Sequence, residues 1–385
     1  MPWKETCAMD QRVQLIGDWI KDEFSITELS ELYSVSRTTI YKWIARYEEH
    51  GMDGLKELSR APLHHPNATS LAIVSKIIEM KTLHQRFGPK KIIARLQMQH
   101  PDTRWPAVST AGDILKKQGL VQPRKKKRRV PPYTEPFLGC DKPNAAWSAD
   151  FKGHFHTEDG RLCHPLTISD NYSRYLLQCR GLRRPTHEQT QPWFEWTFRE
   201  YGLPDAIRTD NGAPFASLSL GGLSRLSVWF IKLGIIPERI NPGHPEQNPR
   251  HERMHRTLKE AVVIPPKSNI YEQQQAFENF KYEFNYERPH EALGQKTPSS
   301  LYQPSNRPYP SRIPQVEYDG DVAVKKIKHS GEMYWKGKWV YVSQALAEEY
   351  IALEQIDDCL WKVLFSFFPL GILNELTGRV LPLKT

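Results

Sequence analysis

Two stretches decide how this chain is read: Ile207-Arg208-Thr209-Asp210-Asn211-Gly212 and Pro249-Arg250-His251-Glu252-Arg253-Met254-His255-Arg256-Thr257-Leu258-Lys259. The first reads as a strand that delivers a carboxylate to a tight turn. The second reads as a helix that carries a carboxylate on a basic face. Upstream, Trp147-Ser148-Ala149-Asp150-Phe151-Lys152-Gly153 alternates large apolar and polar residues at the period of a strand and holds a third acid, Asp150. Three acids on separate elements of a basic protein point to a divalent-metal site for phosphodiester chemistry.

Each acid also has a plain structural reading. Asp150 could end a strand, Asp-Asn-Gly is an ordinary turn, and Glu252 could pair with Arg253 in solvent. The combination carries more. Two strand carboxylates and one helix carboxylate can converge at a sheet edge, where α/β folds place their sites. Mg²⁺ takes oxygen ligands, and two such ions can serve the attacking and leaving oxygens of an in-line displacement. Arg256 and Lys259, one and two turns after Glu252, share roughly its face and would meet DNA phosphates.

Composition agrees. The 385 residues carry a formal charge of +9, which favours a polyanionic partner. That length suits two to four domains. Five widely spaced cysteines make no disulfide framework, so a reducing compartment is expected. The most apolar segment, Cys359 to Leu373, is broken by Lys362 and Pro369 and is too short to span a membrane. A soluble, cytoplasmic protein associated with DNA is expected.

Outside the acids the chain divides by pattern. Residues 1–62 read as three short helices: Val13, Ile16 and Trp19 on the first, a Ser25-x-x-Glu28 capping box before the second, and Ser36 capping a third with Ile40, Trp43, Ile44 and Tyr47 inward. This is a helix-turn-helix pattern whose third helix would present Arg37, Thr38, Thr39, Lys42 and Arg46 to DNA. A three-helix module that binds another protein is the alternative. Residues 66–123 read as a second such module, open to a wing, with Lys90 and Lys91 beside Pro89 as further expected DNA contacts. Residues 124–143 are a linker opened by Arg124-Lys125-Lys126-Lys127-Arg128-Arg129, either a solvated tether or a strap along phosphates.

Residues 144–303 carry a three-strand meander around Asp170-Asn171-Tyr172-Ser173, then alternating helices and strands, a mixed α/β sandwich. Asp170 reads as a turn cap. His154, His156, Cys163 and His164 lack the tight spacing of a zinc site. Residues 316–385 show short β runs with a Trp335-Lys336-Gly337-Lys338 turn, pointing to a small β-barrel.

Taken together, Trp147-x-x-Asp150, Asp210-Asn-Gly-x-x-Phe215, His244-Pro-Glu-Gln-Asn with His251-Glu252-Arg-Met-His-Arg-Thr-Leu-Lys259, and Asn285-Tyr-Glu-Arg-Pro-His290 with Leu293, Thr297-Pro298 and Tyr302 resemble bacterial insertion-sequence transposases with an integrase core. The motifs stand in order over the central domain. The resemblance implies a ribonuclease-H-like fold with Asp150, Asp210 and Glu252 as catalytic acids and metal ligands for Mg²⁺, or Mn²⁺ in its place. It also implies cleavage at terminal inverted repeats, attack of a DNA 3′-hydroxyl on target DNA, and assembly as a homo-oligomer on that DNA. The N-terminus departs from retroviral integrases in lacking the paired His and Cys ligands of their zinc module, with a helix-turn-helix in its place, and two further differences stand out. The separation of Asp210 from Glu252 is longer than in retroviral integrases, which an insertion around Leu218–Ser227 would explain. Pro249 replaces an expected Gly, which leaves open a second reading: a catalytically impaired, transposase-derived DNA-binding protein or repressor.

Overall fold

The computed structural model describes residues 7–59, 68–121, 140–217, 222–239, 249–318, 320 and 322–382. The chain separates into two compact units, Met1–Ser70 and Leu71–Thr385.

The first unit holds α1 (Ala8–Ile20), α2 (Ile26–Leu32) and α3 (Arg37–His50), followed by a short 3₁₀ turn. The Ser25 hydroxyl accepts from the Glu28 N–H while Glu28 accepts the Ser25 N–H at 2.7 Å, so two donors at the helix end are satisfied reciprocally. Ser36 caps α3 by accepting from the Thr39 N–H at 3.2 Å. Leu15, Ile16, Leu29, Ile40, Trp43, Ile44 and Leu55 form the core these helices bury.

The second unit begins with α4 (Leu71–Leu83), α5 (Pro89–Gln99) and α6 (Val108–Lys117). Pro89 opens α5, where its missing N–H costs nothing. Ile77, Phe87, Ile92, Leu96, Ala111 and Leu115 close this small core. The described residues of this segment are helical and contain no strand, so the wing is absent among them. The module is docked on the central domain: Lys90 pairs with Glu291 at 2.8 Å, Arg95 donates to the Tyr286 carbonyl at 3.3 Å, and Arg86 donates to the Glu260 carbonyl.

The central domain contains β1 (Ala146–Phe151), β2 (Phe155–His156), β3 (Leu162–Asp170), β4 (Leu176–Leu182), α7 (His187–Tyr201), β5 (Ala206–Thr209), α8 (Arg225–Lys232), β6 (Ile236–Arg239), α9 (Pro249–Leu258) and α10 (Ile270–Tyr282). The sheet runs β4-β3-β1-β5-β6, with β2 beside the start of β3. The β1/β3 and β3/β4 pairs are antiparallel, while β1/β5 and β5/β6 are parallel. Strand alternation divides the cores. Trp147, Ala149 and Ile207 meet Phe194 and Phe198 of α7 and Leu226, Trp229 and Phe230 of α8 on one face. Cys163, Leu176 and Cys179 meet Met254 and Leu258 of α9 and Phe277 and Phe280 of α10. A sheet covered by helices on both faces is the expected α/β solution.

The C-terminal strands are β7 (Ala323–Lys326), β8 (Glu332–Trp335), β9 (Lys338–Tyr341), β10 (Tyr350–Asp357), β11 (Leu360–Phe365), β12 (Phe368–Asn374) and β13 (Arg379–Leu381). They form a five-stranded sheet ordered β13-β12-β11-β10-β7 and a separate β8-β9 hairpin. The expected barrel is therefore replaced, among the described residues, by an open sheet: no strand pairing joins its two edges. The expected turn is present, with Lys336 and Gly337 both at positive φ as a two-residue hairpin loop requires. Leu223, Val228 and Ile231 share this sheet's core, so α8 is buried on both sides, and Lys232 pairs with Glu349 at 2.7 Å.

Candidate active site

β1 and β5 are parallel neighbours, and their last paired residues are Ala149 and Thr209. Asp150 and Asp210 follow directly, so the two carboxylates leave adjacent strands at the same level of the sheet. Ala149 points into the core under α7 and α8, which turns Asp150 to the opposite face. At Asp210 the chain turns: Oδ1 accepts the Gly212 N–H at 3.1 Å, and a Cβ on Gly212 would lie 3.0 Å from Oδ2. This close approach favours glycine there.

Glu252 sits exposed in the first turn of α9. Pro249 is that helix's first residue, a position where proline is suited to the backbone. His251, Met254, His255 and Leu258 are the buried residues of α9.

The electrostatics of the three acids are linked. Burial first, then the negative charge of Asp210 and a smaller push from Glu252, raise the Asp150 carboxyl to about 7. Asp210 is also raised by burial, against the opposing hydrogen bond from Gly212. A half-buried carboxyl raised by burial and by its acidic neighbours, as Asp150 is, is what a bound cation would relieve.

Beneath Asp150 lies a polar cluster that sequence reading missed. The Thr167 hydroxyl donates to the Asp150 carbonyl at 3.1 Å and lies 2.8 Å from His251 Nε2 and 2.7 Å from His255 Nε2. The Ser169 hydroxyl lies 2.9 Å from His251 Nδ1. A hydroxyl has one proton; with it committed to the carbonyl, both Nε2 atoms must donate. Nδ1 of His255 then carries a lone pair facing Asp150 Oδ2 at 3.5 Å. Burial holds both imidazoles neutral, lowering His251 to about 3 and His255 well below its usual value. Potential ligand atoms of Asp150, His251 and His255 lie within 4.8 Å of one another. Both nitrogens of His251 are already engaged, so this group reads as a network anchoring α9 to β3. The signal was present in sequence: positions 251, 254, 255 and 258 repeat at i, i+3, i+4, i+7.

The basic residues are placed as follows. Arg256 and Lys259 are exposed. Arg37, Thr38 and Lys42 are exposed on α3, while Thr39 bonds the Ser36 hydroxyl at 2.9 Å. Arg46 donates to the Lys56 carbonyl at 2.6 Å and stacks 4.7 Å from the Trp43 ring. Lys90 is paired with Glu291, and Lys91 is half-buried. Arg124, Lys125, Lys126, Lys127, Arg128 and Arg129 lie outside the described residues, as do His244–Asn248 and Leu218–Gly221 of the expected insertion. Asp170 is a buried turn cap.

Fold and site together define an integrase-type core: a mixed sheet with two acids at the ends of neighbouring parallel strands and a third on a helix across one face, preceded by helix-turn-helix modules. Family comparison agrees. Residues 141–245 and 233–298 match integrase core domain models, residues 11–62 match a helix-turn-helix domain, and residues 39–115 match a homeodomain-like domain.

The integrase core matches and the insertion-element relatives below support an insertion-sequence transposase, by class a polynucleotidyl transferase. It is 22% identical over 251 residues to the insertion element IS476 uncharacterized 39.2 kDa protein of Xanthomonas euvesicatoria, covering 64% of this chain and 70% of that one. It is 23% identical over 249 residues to the IS407 uncharacterized 31.7 kDa protein of Burkholderia multivorans, covering 63% and 86%. Among solved structures, the HTLV-2 integrase catalytic core domain in complex with magnesium aligns with a TM-score of 0.34 at 17% identity, over 42% of this chain and 99% of that one. A chain of the simian T-cell lymphotropic virus intasome in complex with PP2A regulatory subunit B56 gamma aligns at 0.37 and 17%, over 76% and 97%. No helix of the described residues is long and apolar enough to cross a membrane.

Proposed function

We propose that Asp150, Asp210 and Glu252 are the catalytic acids of a metal-dependent transposase that cleaves at the ends of its element and joins the freed 3′-hydroxyl to target DNA. The observation that carries this is the register of β1 and β5, which sets Asp150 beside Asp210 on the face where α9 packs. The donor set fits a hard divalent ion: all three groups are oxygen ligands, and Asp150 is driven toward its neutral form by burial and by the neighbouring acids. Mg²⁺ bound there, or Mn²⁺ in its place, would supply positive charge at the attacking and leaving oxygens.

The chain's own residues do the rest. Asp150 and Asp210 are fixed by the sheet, and His251 and His255 hold α9 against β3 so that Glu252 completes the set. Arg256 and Lys259, on the exposed side of the same helical segment, hold DNA phosphates. Arg37, Thr38 and Lys42 of α3 meet the terminal repeats in the major groove, and the strap Arg124–Arg129 tracks phosphates. The protein assembles on DNA as a homo-oligomer. The test is cleavage and strand transfer with Mg²⁺ and DNA from the element's own flanks. Asp210→Asn should abolish both while DNA binding persists; cleavage that survives it would remove the assignment.

A further inference from the structure

A cavity of about 500 Å³ lies beside α9, and none of Asp150, Asp210 and Glu252 lines it. Six cations face it: Lys91 of α5, Arg174 of the β3–β4 turn, Arg250, Arg253 and Arg256 of α9, and Arg288 of the Arg288-Pro289-His290 segment. Three acids also line it, but two are committed elsewhere. Asp170 accepts the N–H groups of Asn144 and Ser173 and the Ser173 hydroxyl, and Glu291 pairs with Lys90. Glu260 is the third. The cavity therefore holds an excess of positive charge.

The cations are not at ease there. Burial, with the charges of Arg288 and Arg253, lowers the Lys91 ammonium to about 7. Burial and Arg250 lower Arg174 to about 10. One guanidinium nitrogen of Arg174, Nη1, is buried with no hydrogen-bond partner among the described residues. Arg174 also sits at φ +65, a conformation disfavoured for a residue with a Cβ, fixed by its N–H bond to the Asp170 carbonyl at 3.0 Å. A buried donor without a partner in a strained turn calls for an acceptor from outside. The rest of the lining mixes apolar Met254 and Phe284, each 5% exposed, with polar Asn171, Thr257 and His290. Cations beside a thioether and a ring in one lining match a phosphate joined to a flat base. The volume admits one nucleotide and excludes a duplex.

We propose that this cavity receives one unpaired nucleotide of a DNA strand, its phosphate among Lys91, Arg174, Arg250 and Arg288 and its base against Met254 and Phe284. The segment Arg288-Pro289-His290 thereby gains a task, and the second helical module contributes Lys91 to the core's DNA contacts. The inference deepens the transposase reading and rests on DNA being the substrate.

The experiment is binding by the full chain in chelator, where no chemistry occurs, using a blunt duplex of mixed sequence and the same duplex with a short unpaired tail. Wild type should bind the tailed probe about tenfold tighter. Lys91→Gln and Arg288→Gln should erase that preference while keeping blunt binding, and Arg288→Lys should restore most of it. Equal binding of both probes by wild type, or parallel loss of both in Arg288→Gln, overturns the proposal. Should the variants not fold, the melting temperature of wild type decides: thymidine monophosphate should raise it and inorganic phosphate at equal concentration should not. An equal shift by both removes the role of Met254 and Phe284 and overturns the nucleotide assignment. Asp210→Asn should retain the tail preference, so failure of the catalytic assignment would leave this result standing, and the reverse.

Discussion

Nδ1 of His255 faces Oδ2 of Asp150 at 3.5 Å, while Nε2 of the same ring lies 2.7 Å from the Thr167 hydroxyl. One side chain on α9 thus links the helix that carries Glu252 to two neighbouring strands, because Asp150 and Thr167 are cross-strand partners of β1 and β3. Groups that orient metal-binding carboxylates are commonly worth ten- to a hundredfold in activity. His255→Ala should lower end cleavage by about that factor with DNA affinity unchanged. The check is a single-turnover cleavage rate beside a binding isotherm; unchanged cleavage would show that the ring only fills space.

The raised Asp150 carboxyl makes stability depend on pH in a definite direction. In the folded, metal-free chain it titrates near 7, and its ordinary value is 3.8. The folded state therefore holds the proton more tightly, and stability falls as pH rises between these values, remaining low above 7. At about 1.4 kcal/mol per pKa unit, the penalty at pH 8 is on the order of a few kcal/mol. In chelator, Asp150→Asn should melt higher than wild type at pH 8, with the gap closing by pH 4. Saturating Mg²⁺ should stabilise wild type and leave the variant unmoved.

The parts of this site readable in sequence were those whose geometry follows from local pattern. Alternation in Trp147–Phe151 gave the face of Asp150, and Asp210-Asn-Gly gave its turn. What could not be read were the contacts between distant segments. His251 and His255 looked like part of a basic helix face, yet they are buried against Thr167 and Ser169, more than eighty residues upstream. Arg46 looked like a DNA contact by helical position, but the distant end of its side chain finds the Lys56 carbonyl. The barrel expectation is not met among the described residues: the strands form an open sheet and a hairpin whose shared core also takes in Val228 and Ile231 of α8, which strand periodicity does not reveal.

Arg37 and Arg46 on α3 should separate binding from folding. Arg37 is exposed in the helix's first turn, whereas Arg46 bonds the Lys56 carbonyl and stacks on Trp43, which Arg12 covers at 4.0 Å from the ring centroid. Arg37→Ala should weaken DNA binding and reduce the slope of log affinity against log salt by about one, without changing the melting temperature. Arg46→Ala should cost about 1 kcal/mol of stability in the first unit, from its hydrogen bond and its stacking. Salt titrations paired with urea unfolding distinguish the two.

Asp170 offers the contrast to Asp150, since it is buried more deeply and fully occupied. Its Oδ1 accepts the Asn144 N–H at 2.9 Å, and Oδ2 accepts the Ser173 N–H at 2.8 Å and the Ser173 hydroxyl at 2.6 Å. Burial raises this carboxyl while those bonds pull it back. Asp170→Ala strands two buried N–H groups and should cost about 3 kcal/mol. Asp170→Asn should rescue little, because its amide would set an NH₂ against one of the two donor sets. The same turn carries Arg174 into the basic cavity, so both variants should also weaken binding of the tailed DNA. Urea midpoints and tailed-probe affinity measured on the same samples test the link: full stability in Asp170→Ala would mean that the turn is held by its backbone alone.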